Sequence, residues 1–430
     1  MPMSQRQPSL FEDADVAEPS DSPGDVSSTF SDNMSLPVHR WFRFSAGFSA
    51  AWAQDVIRTQ GSSRVLDPFA GSGTTLLAAE DLGVSAIGIE AHPFIRRIAT
   101  SKLFRSADAE AFVNLASQLR RDATSRTGSA LHYPPLVSKC YPQNTLKDLD
   151  SLRESLNALR SDEPSWHLCW IALTAILRAC SPVGTAQWQY VLPAKTKKRS
   201  VNPFAAFDKM VDMMAEDMRA APPVACHAEV LNDDARTLDE VPDHWADLVV
   251  TSPPYPNNYD YADATRLEMS FYGEISGWGD LQHVVRRHLV RSCSQHVPER
   301  KVSLADTLGQ PEVDPIRSPL SSVCQQLAEV RLSRGGRKTY HLMVACYFLD
   351  LAKTLLSLRR TSATGVTMCM VVGDSAPYGI HVPVPEWLGE LALASGFRSW
   401  KFEKTRDRNI KWKNRKHRVP LREGRLWIQG

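Results

Sequence analysis

A serine, two prolines and a tyrosine end an apolar stretch in the middle of the chain. The segment ADLVVTSPPY predicts a buried strand that stops at four residues: Ser252, Pro253, Pro254 and Tyr255. The prolines stiffen the backbone and remove two N–H donors, so nearby carbonyls are left as acceptors. Ser252 Oγ and the Pro253 carbonyl, beside the Tyr255 ring, suit a planar amino group that donates two hydrogen bonds while its ring stacks. The alternative is a Pro-Pro exit turn with a packed tyrosine.

Two glycines follow an earlier predicted strand. The segment VLDPFAGSGTTLLAA places Asp67 at a strand end, Gly71 and Gly73 in a turn, and Thr74 at the start of a helix. Glycines permit a tight turn and close approach of the backbone to a ligand, and a helix N-terminus offers unpaired N–H groups. The third glycine of the dinucleotide fingerprint is replaced by Leu76. The loop therefore suits a nucleoside better than a pyrophosphate, with a structural turn as the alternative.

Two acidic residues stand where they could complete a nucleoside site. Glu90, in GIEAHP, comes nineteen residues after Gly71 at the end of the next predicted strand. An acid at this spacing can bind ribose hydroxyls. Asp234, in NDDARTL, precedes the strand of the SPPY segment, where a carboxylate could accept a hydrogen bond from an adenine amino group. Each acid alone is better explained as a solvated loop residue, and it is their combination with the glycine loop that favours binding.

These segments together resemble the S-adenosylmethionine-dependent DNA amino-methyltransferases, which modify cytosine N4 or adenine N6. DPFAGSGTT resembles their methyl-donor loop, GIEAHP their ribose-binding acid and TSPPY their catalytic tetrapeptide. FRFSAGFSAAW resembles the segment that caps the methionine end of the donor, and LREGRLWI resembles a late strand with its R-E pair. The resemblance implies no metal and ten residues that bind S-adenosyl-L-methionine: Phe44, Ser45, Asp67, Pro68, Phe69, Gly71, Gly73, Thr74, Glu90 and Asp234.

The resemblance also implies a reaction. The S-P-P-Y form of the tetrapeptide leans towards cytosine N4, so we expect site-specific methylation of that amino group in double-stranded DNA, with the base flipped out of the duplex. Hydrogen bonds to Ser252 and Pro253 would localise the lone pair of the amino nitrogen, so catalysis is mainly positioning and electrostatics. Adenine-N6 methylation, methylation of RNA or a protein amide, and a silent DNA-binding module stay open as alternatives. A cognate restriction endonuclease is a candidate partner.

The distribution of charge is more informative than its sum. Lys+Arg total 50 and Asp+Glu 48, giving a net charge of +2. From Arg398 to Arg425, however, twelve basic residues face three acids and are interleaved with Trp400, Phe402 and Trp412. A basic run with aromatic residues favours contact with DNA phosphates.

Other features predict a cytoplasmic protein. Eight cysteines show no C-x-x-C pair, and the N-terminus lacks the basic and apolar regions of a secretory signal. The apolar stretch Trp166–Cys180 is interrupted by polar residues and too short to span a bilayer, so no membrane segment is expected.

The order of predicted elements defines the expected fold. A strand, glycine loop, helix and strand between Arg64 and Ile89 form a βαβ unit, which implies a parallel sheet with ligands at the carboxyl ends of its strands. We therefore expect an α/β, Rossmann-like class I methyltransferase fold with a mostly parallel, doubly wound sheet. The predicted organisation is a disordered acidic tail (1–35), a catalytic domain (36–100, 226–272 and 340–430), a helical insertion (101–225) and a loop-rich insertion suited to target recognition (273–339).

Overall fold

The chain divides into two compact units built from interleaved stretches of sequence. The computed structural model describes residues 30–44, 47–185, 190–197, 199–257, 260–297, 300, 302–335, 338–408 and 419–430. Unit 1 contains the described parts of residues 1–45, 104–221 and 267–276. Unit 2 contains those of residues 46–103, 222–266 and 277–430.

Nine strands are found in the described residues. They are β1 (Arg64–Asp67), β2 (Ser85–Ile89), β3 (Val183–Thr185), β4 (Val191–Thr196), β5 (Ala228–Leu231), β6 (Ala246–Thr251), β7 (Ser362–Gly373), β8 (Ser399–Arg408) and β9 (Leu421–Gln429). β3 and β4 form an antiparallel hairpin in unit 1. The other seven strands form the sheet of unit 2, in the order β5-β2-β1-β6-β7-β9-β8.

The sheet is parallel except at one edge. β1 pairs in parallel with β2 and β6, and β5 and β7 extend these pairs on either side. β9 runs antiparallel between β7 and β8. The strand order reverses at β1, so the carboxyl ends of β1 and β6 lie side by side at the switch point where open α/β sheets bind ligands.

Fifteen α-helices occur in the described residues. They are α1 (Ala50–Gln60), α2 (Thr74–Asp81), α3 (Pro93–Leu103), α4 (Ala109–Ser125), α5 (Pro135–Cys140), α6 (Gln143–Ala158), α7 (Pro164–Cys180), α8 (Pro203–Ala220), α9 (Tyr261–Ala264), α10 (Arg266–Phe271), α11 (Leu281–Val284), α12 (Leu304–Leu308), α13 (Arg317–Ser333), α14 (Tyr340–Thr361) and α15 (Val384–Ala394).

Helices cover both faces of the sheet in unit 2. Alternate residues of β6 point to opposite faces: Leu248 and Val250 pack in a core with α1 and α2, whereas Val249 packs in a core with α14 and α15. This arrangement confirms the predicted α/β, Rossmann-like, doubly wound sheet. The three strands expected from the sequence correspond to β1, β2 and β6.

Unit 1 is mainly helical, and one carboxylate holds its N-terminal segment. Buried Asp217 on α8 accepts hydrogen bonds from the Val38 N–H (3.0 Å), the Trp41 indole N–H (2.9 Å) and the Arg40 guanidinium (2.5 Å). Without the Asp217 carboxylate these donors would lose their shared acceptor, so the contacts fix residues 38–41 on α8.

The prediction that residues 273–339 are loop-rich is wrong for the second half of that segment. Residues 317–333 form α13, whose buried side chains Leu320, Cys324 and Leu327 recur at helical spacing and pack against the α14 core. The remainder of the segment consists of short helices and loops.

By length and composition, α14 alone among the described helices could cross a membrane. However, 78% of its most apolar 18-residue window is buried within the protein. Its apolar side chains, from Leu342 to Leu358, belong to the larger core of unit 2. It therefore packs as the central core helix of that unit.

Candidate functional site

Asp67 joins the glycine loop to the strand that carries the SPPY segment. Its carboxylate accepts the hydroxyl hydrogens of Thr75 on α2 and Thr251 at the end of β6, both at 2.6 Å. It also accepts the Phe69 N–H at 3.0 Å. Burial raises the pKa of Asp67 to about 6, although the three hydrogen bonds act in the opposite direction. The contacts make Asp67 a positioning residue, and its direct contact with a donor stays a prediction.

The glycine loop is hydrogen-bonded to the Glu90 carboxylate. The two carboxylate oxygens of Glu90 accept the N–H groups of Gly71 (2.9 Å) and His92 (2.8 Å). Gly71 and Gly73 have φ values of 53° and 87°, which other residues rarely adopt. Desolvation raises the pKa of Glu90 to about 7. A partly buried acid is thus fixed at the end of β2, and its contact with a ribose stays a prediction.

His92 makes a buried contact that the sequence analysis missed. Its ring Nε2 lies 2.9 Å from Thr265 Oγ1, so the turn after β2 is joined to the segment that follows the SPPY loop. Burial lowers the pKa of His92 to about 3, and the imidazole is therefore neutral at physiological pH. The only signal in the sequence was a polar residue in GIEAHP.

The SPPY segment leaves β6 with two acceptors in place. The Ser252 hydroxyl donates to the Val371 carbonyl at 3.2 Å, which directs the remaining lone pairs of Oγ away from that strand. Among the described residues, no group donates to the Pro253 carbonyl. The expectation that both oxygens accept from an amino group stays a prediction.

The Tyr255 ring contacts an arginine from the basic run that the sequence analysis predicted to contact DNA phosphates. The Arg408 guanidinium carbon is 4.8 Å from the centre of the Tyr255 ring. Its Nη1 donates to the Asp374 carbonyl at 2.9 Å and its Nε is 3.4 Å from Glu423 Oε2. Burial and the nearby negative charge of Glu423 raise the pKa of Tyr255 well above its usual value. The phenol therefore stays protonated.

The remaining predicted donor residues differ in what the structure shows. Pro68 and Thr74 are buried in the glycine loop of unit 2. Asp234 makes a bidentate ion pair with Arg236, with its shortest contact at 2.5 Å, so an adenine amino group would have to share its carboxylate. Phe44 is partly buried in unit 1, and Ser45 lies outside the described residues, so their contact with the donor stays a prediction.

The basic run from Arg398 to Arg425 is largely paired where it is described. Five of its basic side chains contact acids: Arg406 and Arg408 with Glu423, Arg422 with Asp374 and Glu386, Lys404 with Asp407, and Arg425 with Glu403. These pairs reduce the positive charge that is available for phosphate. Five others fall within 409–418, outside the described residues.

The comparisons with known proteins agree with the motifs. Residues 21–101 match the N6/N4 methyltransferase family model, described as DNA methylase. The chain is 25% identical over 275 residues to the type II methyltransferase M.BsoBI of Geobacillus stearothermophilus, covering 56% of this chain and 54% of that protein. It is 23% identical over 401 residues to the type II methyltransferase M.AvaI of Nostoc sp., covering 86% of this chain and 81% of that protein.

The resemblance expected from the motifs is therefore confirmed: the sequence is similar to amino-methyltransferases of the N4/N6 family. The chain spans about half the length of M.BsoBI. A solved structure, the rRNA methyltransferase aviRa from Streptomyces viridochromogenes, aligns over 95% of this chain and 88% of that chain with a TM-score of 0.25 and 10% identity. A TM-score this low supports no inference about substrate.

Proposed function

We propose that this protein transfers a methyl group from S-adenosyl-L-methionine to N4 of cytosine in double-stranded DNA. The observation that carries the proposal is the geometry of Ser252: its hydroxyl hydrogen is engaged by the Val371 carbonyl, which leaves Oγ as an acceptor beside the Pro253 carbonyl and the Tyr255 ring. A base bearing an exocyclic amino group meets all three. The DNA methylase family match and the two type II relatives support DNA as the substrate.

The loop at the end of β1 fits the donor. Glu90 offers carboxylate oxygens at the end of β2, and the turn of Gly71 and Gly73 brings backbone close to any ligand above it. When bound, S-adenosyl-L-methionine supplies an electrophilic methyl group on a sulfonium. Phe69 and Asp234 are the further side chains that we expect near it, whereas Asp67 holds the loop in place.

The residues of the SPPY segment act by orienting the base. Ser252 Oγ and the Pro253 carbonyl accept the two amino hydrogens, which localises the nitrogen lone pair and aims it along one direction. Tyr255 stacks on the ring and fixes the plane of the base. The base must leave the duplex to reach this loop. The new N–C bond forms as the sulfur–methyl bond breaks and its electron pair returns to sulfur, and the amino proton, now acidic, is then released to solvent.

The direct test measures methyl transfer and then identifies the product. The purified protein is incubated with labelled S-adenosyl-L-methionine and unmethylated duplex DNA, RNA or protein, followed by nucleoside digestion and mass spectrometry. We expect N4-methylcytosine in DNA. N6-methyladenine would overturn the choice of base, label in RNA or protein would overturn the substrate, and no label would favour a silent DNA-binding module.

Two serine variants distinguish an effect on the site from an effect on folding. Ser252→Ala removes one of the two acceptors, so we expect kcat to fall about tenfold to a hundredfold while the Kd for the donor is unchanged. Ser399→Ala, at an exposed position in β8, serves as the matched control and should keep wild-type kcat. Equal activity of the two variants would contradict the assigned role of Ser252.

A further inference from the structure

The loop that follows Tyr255 is held by a segment from the second insertion. We call residues 277–297 the 277–297 segment. The Asn257 N–H donates to the Ser292 carbonyl at 2.7 Å, while Asn257 adopts a φ of 60°. This hydrogen bond joins the 277–297 segment to the chain two residues after Tyr255.

A buried ion pair makes the same connection. The Asp260 carboxylate accepts from Arg286 Nε and Nη2 at 3.0 and 2.5 Å, and its other oxygen lies 3.2 Å from His296 Nε2. Arg286 is only 1% exposed and Asp260 only 4%. Buried pairs persist only with good geometry, because either charge alone would be costly to bury. These contacts therefore hold Asp260 against the 277–297 segment.

The 277–297 segment is also tied to the core. Arg291 makes a bidentate contact with Asp350, at 2.9 Å through Nε and 2.6 Å through Nη2, and Asp350 is a buried residue of α14. Two of its three arginines are thus used for internal attachment. The position of its outer face relative to Tyr255 is consequently fixed.

The exposed side chains of the 277–297 segment include one arginine and one tryptophan. The 277–297 segment contains three arginines and three histidines against a single acid, Asp280. The third arginine, Arg287, is exposed, and its Nε donates to the ring of exposed His288 at 2.8 Å. Trp278 is 49% exposed, with the Arg286 guanidinium 4.0 Å from its ring centre. An exposed cation can contact phosphates, and an exposed aromatic ring can stack on bases or sugars.

We propose that the 277–297 segment is a DNA-contacting element beside the target-base pocket. Arg287 contacts a backbone phosphate, and Trp278 packs against a base or sugar next to the flipped nucleotide. The inference rests on the proposed function, because it takes duplex DNA as the substrate. It assigns a role to the second insertion through its attachment to the catalytic loop.

The test compares two exposed arginines of the same insertion. Arg287→Ala and the control Arg334→Ala, just after α13, each remove one exposed charge. Binding to duplex DNA is measured by fluorescence anisotropy over a range of salt concentrations, and donor binding by calorimetry. For Arg287→Ala we expect duplex affinity to fall about tenfold and the slope of log K against log salt to decrease by about one. Arg334→Ala should match wild type, and neither variant should change the donor Kd.

A second variant tests the aromatic contact. Trp278→Ala should weaken duplex binding about tenfold with an unchanged salt slope, and Trp278→Tyr should restore most of it because stacking is retained. Equal affinities and slopes for Arg287→Ala and Arg334→Ala would overturn the inference. If wild type binds duplex DNA without methylating it, only the proposed function fails, and the salt slopes still decide the inference. If wild type does not bind duplex DNA, both fail.

Discussion

Arg408 lies where the ends of three strands meet Tyr255. It belongs to β8, donates to the Asp374 carbonyl just after β7, and approaches Glu423 of β9. Gly373 makes room for it, since a Cβ there would lie 3.1 Å from Arg408 Cδ and Nη1. The guanidinium is therefore held over the Tyr255 ring.

We expect Arg408→Met to lower kcat about tenfold, because a cation–π contact of this kind contributes about 1 to 2 kcal/mol. The Kd for S-adenosyl-L-methionine should not change, since Arg408 contacts neither Glu90 nor the glycine loop. Arg408→Lys should recover part of kcat, because it keeps the charge but not the planar fork. Steady-state methylation kinetics with separate kcat and KM values provide the measurement.

The matched control for this prediction is Arg398→Met. Arg398 is exposed at the other end of the basic run, and the same substitution removes the same charge. If Arg398→Met and Arg408→Met reduce kcat equally, the effect is one of net charge, and the positioning role of Arg408 is wrong.

At the scale of elements, β8 and β9 approach each other closely at one glycine. A Cβ on Gly424 would lie 2.1 Å from the Glu403 carbonyl oxygen and 2.9 Å from Lys404 Cα. Both obstacles are backbone atoms of the paired strand and cannot rotate away. Gly424→Ala should therefore lower the free energy of unfolding by about 1 to 3 kcal/mol, as overpacking does. Urea unfolding monitored by tryptophan fluorescence tests this.

Gly279→Ala is the control for that substitution. A Cβ on Gly279 would meet nothing within 4 Å. Gly279→Ala should therefore leave the urea midpoint within error of the wild-type value. If Gly424→Ala and Gly279→Ala have equal midpoints, β8 and β9 accommodate the added methyl group without a loss of stability, and the prediction is wrong.

Some elements were visible in the sequence and others were not. The predicted strands matched because continuous apolar runs are typical of a buried parallel sheet. β8 was interpreted only as a basic run, although Trp400 and Phe402 alternate with charged residues in the period of a half-buried strand. β5 carries no such run because it is an edge strand with partly buried side chains. α13 was missed because only three of its side chains are fully buried.

The same contrast holds for the site. The glycine turn, Glu90 and the SPPY segment depend on local sequence, so motif spacing was enough to predict them. The contacts of Tyr255 with Arg408, and of Asp260 with Arg286, join residues 153 and 26 positions apart. Only the folded chain brings such pairs together, and their residue types alone indicated surface charge.

At the scale of the whole molecule, Asp67 links stability to pH. Its pKa is about 6 in the folded protein against 3.8 for an ordinary aspartate, so the folded chain keeps a proton that the unfolded chain releases. This contribution to stability is complete below about pH 4 and is lost as the pH rises through 6. Glu90, with a pKa of about 7, acts in the same direction. The free energy of unfolding should thus fall by up to about 3 kcal/mol from Asp67 alone.

Urea unfolding at pH values from 4.5 to 7.5 checks this expectation. Asp67→Asn cannot ionise, so its free energy of unfolding should fall less steeply with pH than that of wild type. Asp55→Asn, an exposed position on α1, should keep the wild-type slope. A slope for Asp67→Asn equal to wild type would mean that Asp67 is ionised throughout this range.

The place of β9 between β7 and β8 has a consequence for synthesis on the ribosome. The strands that carry Asp67 and Ser252 emerge early, but β7 keeps an unpaired edge, and β8 has no neighbour, until residues 421–429 leave the exit tunnel. An open strand edge invites pairing with other chains. The nascent protein therefore passes through a stage in which the SPPY segment has been made but Glu423 and its partner Arg408 cannot yet meet.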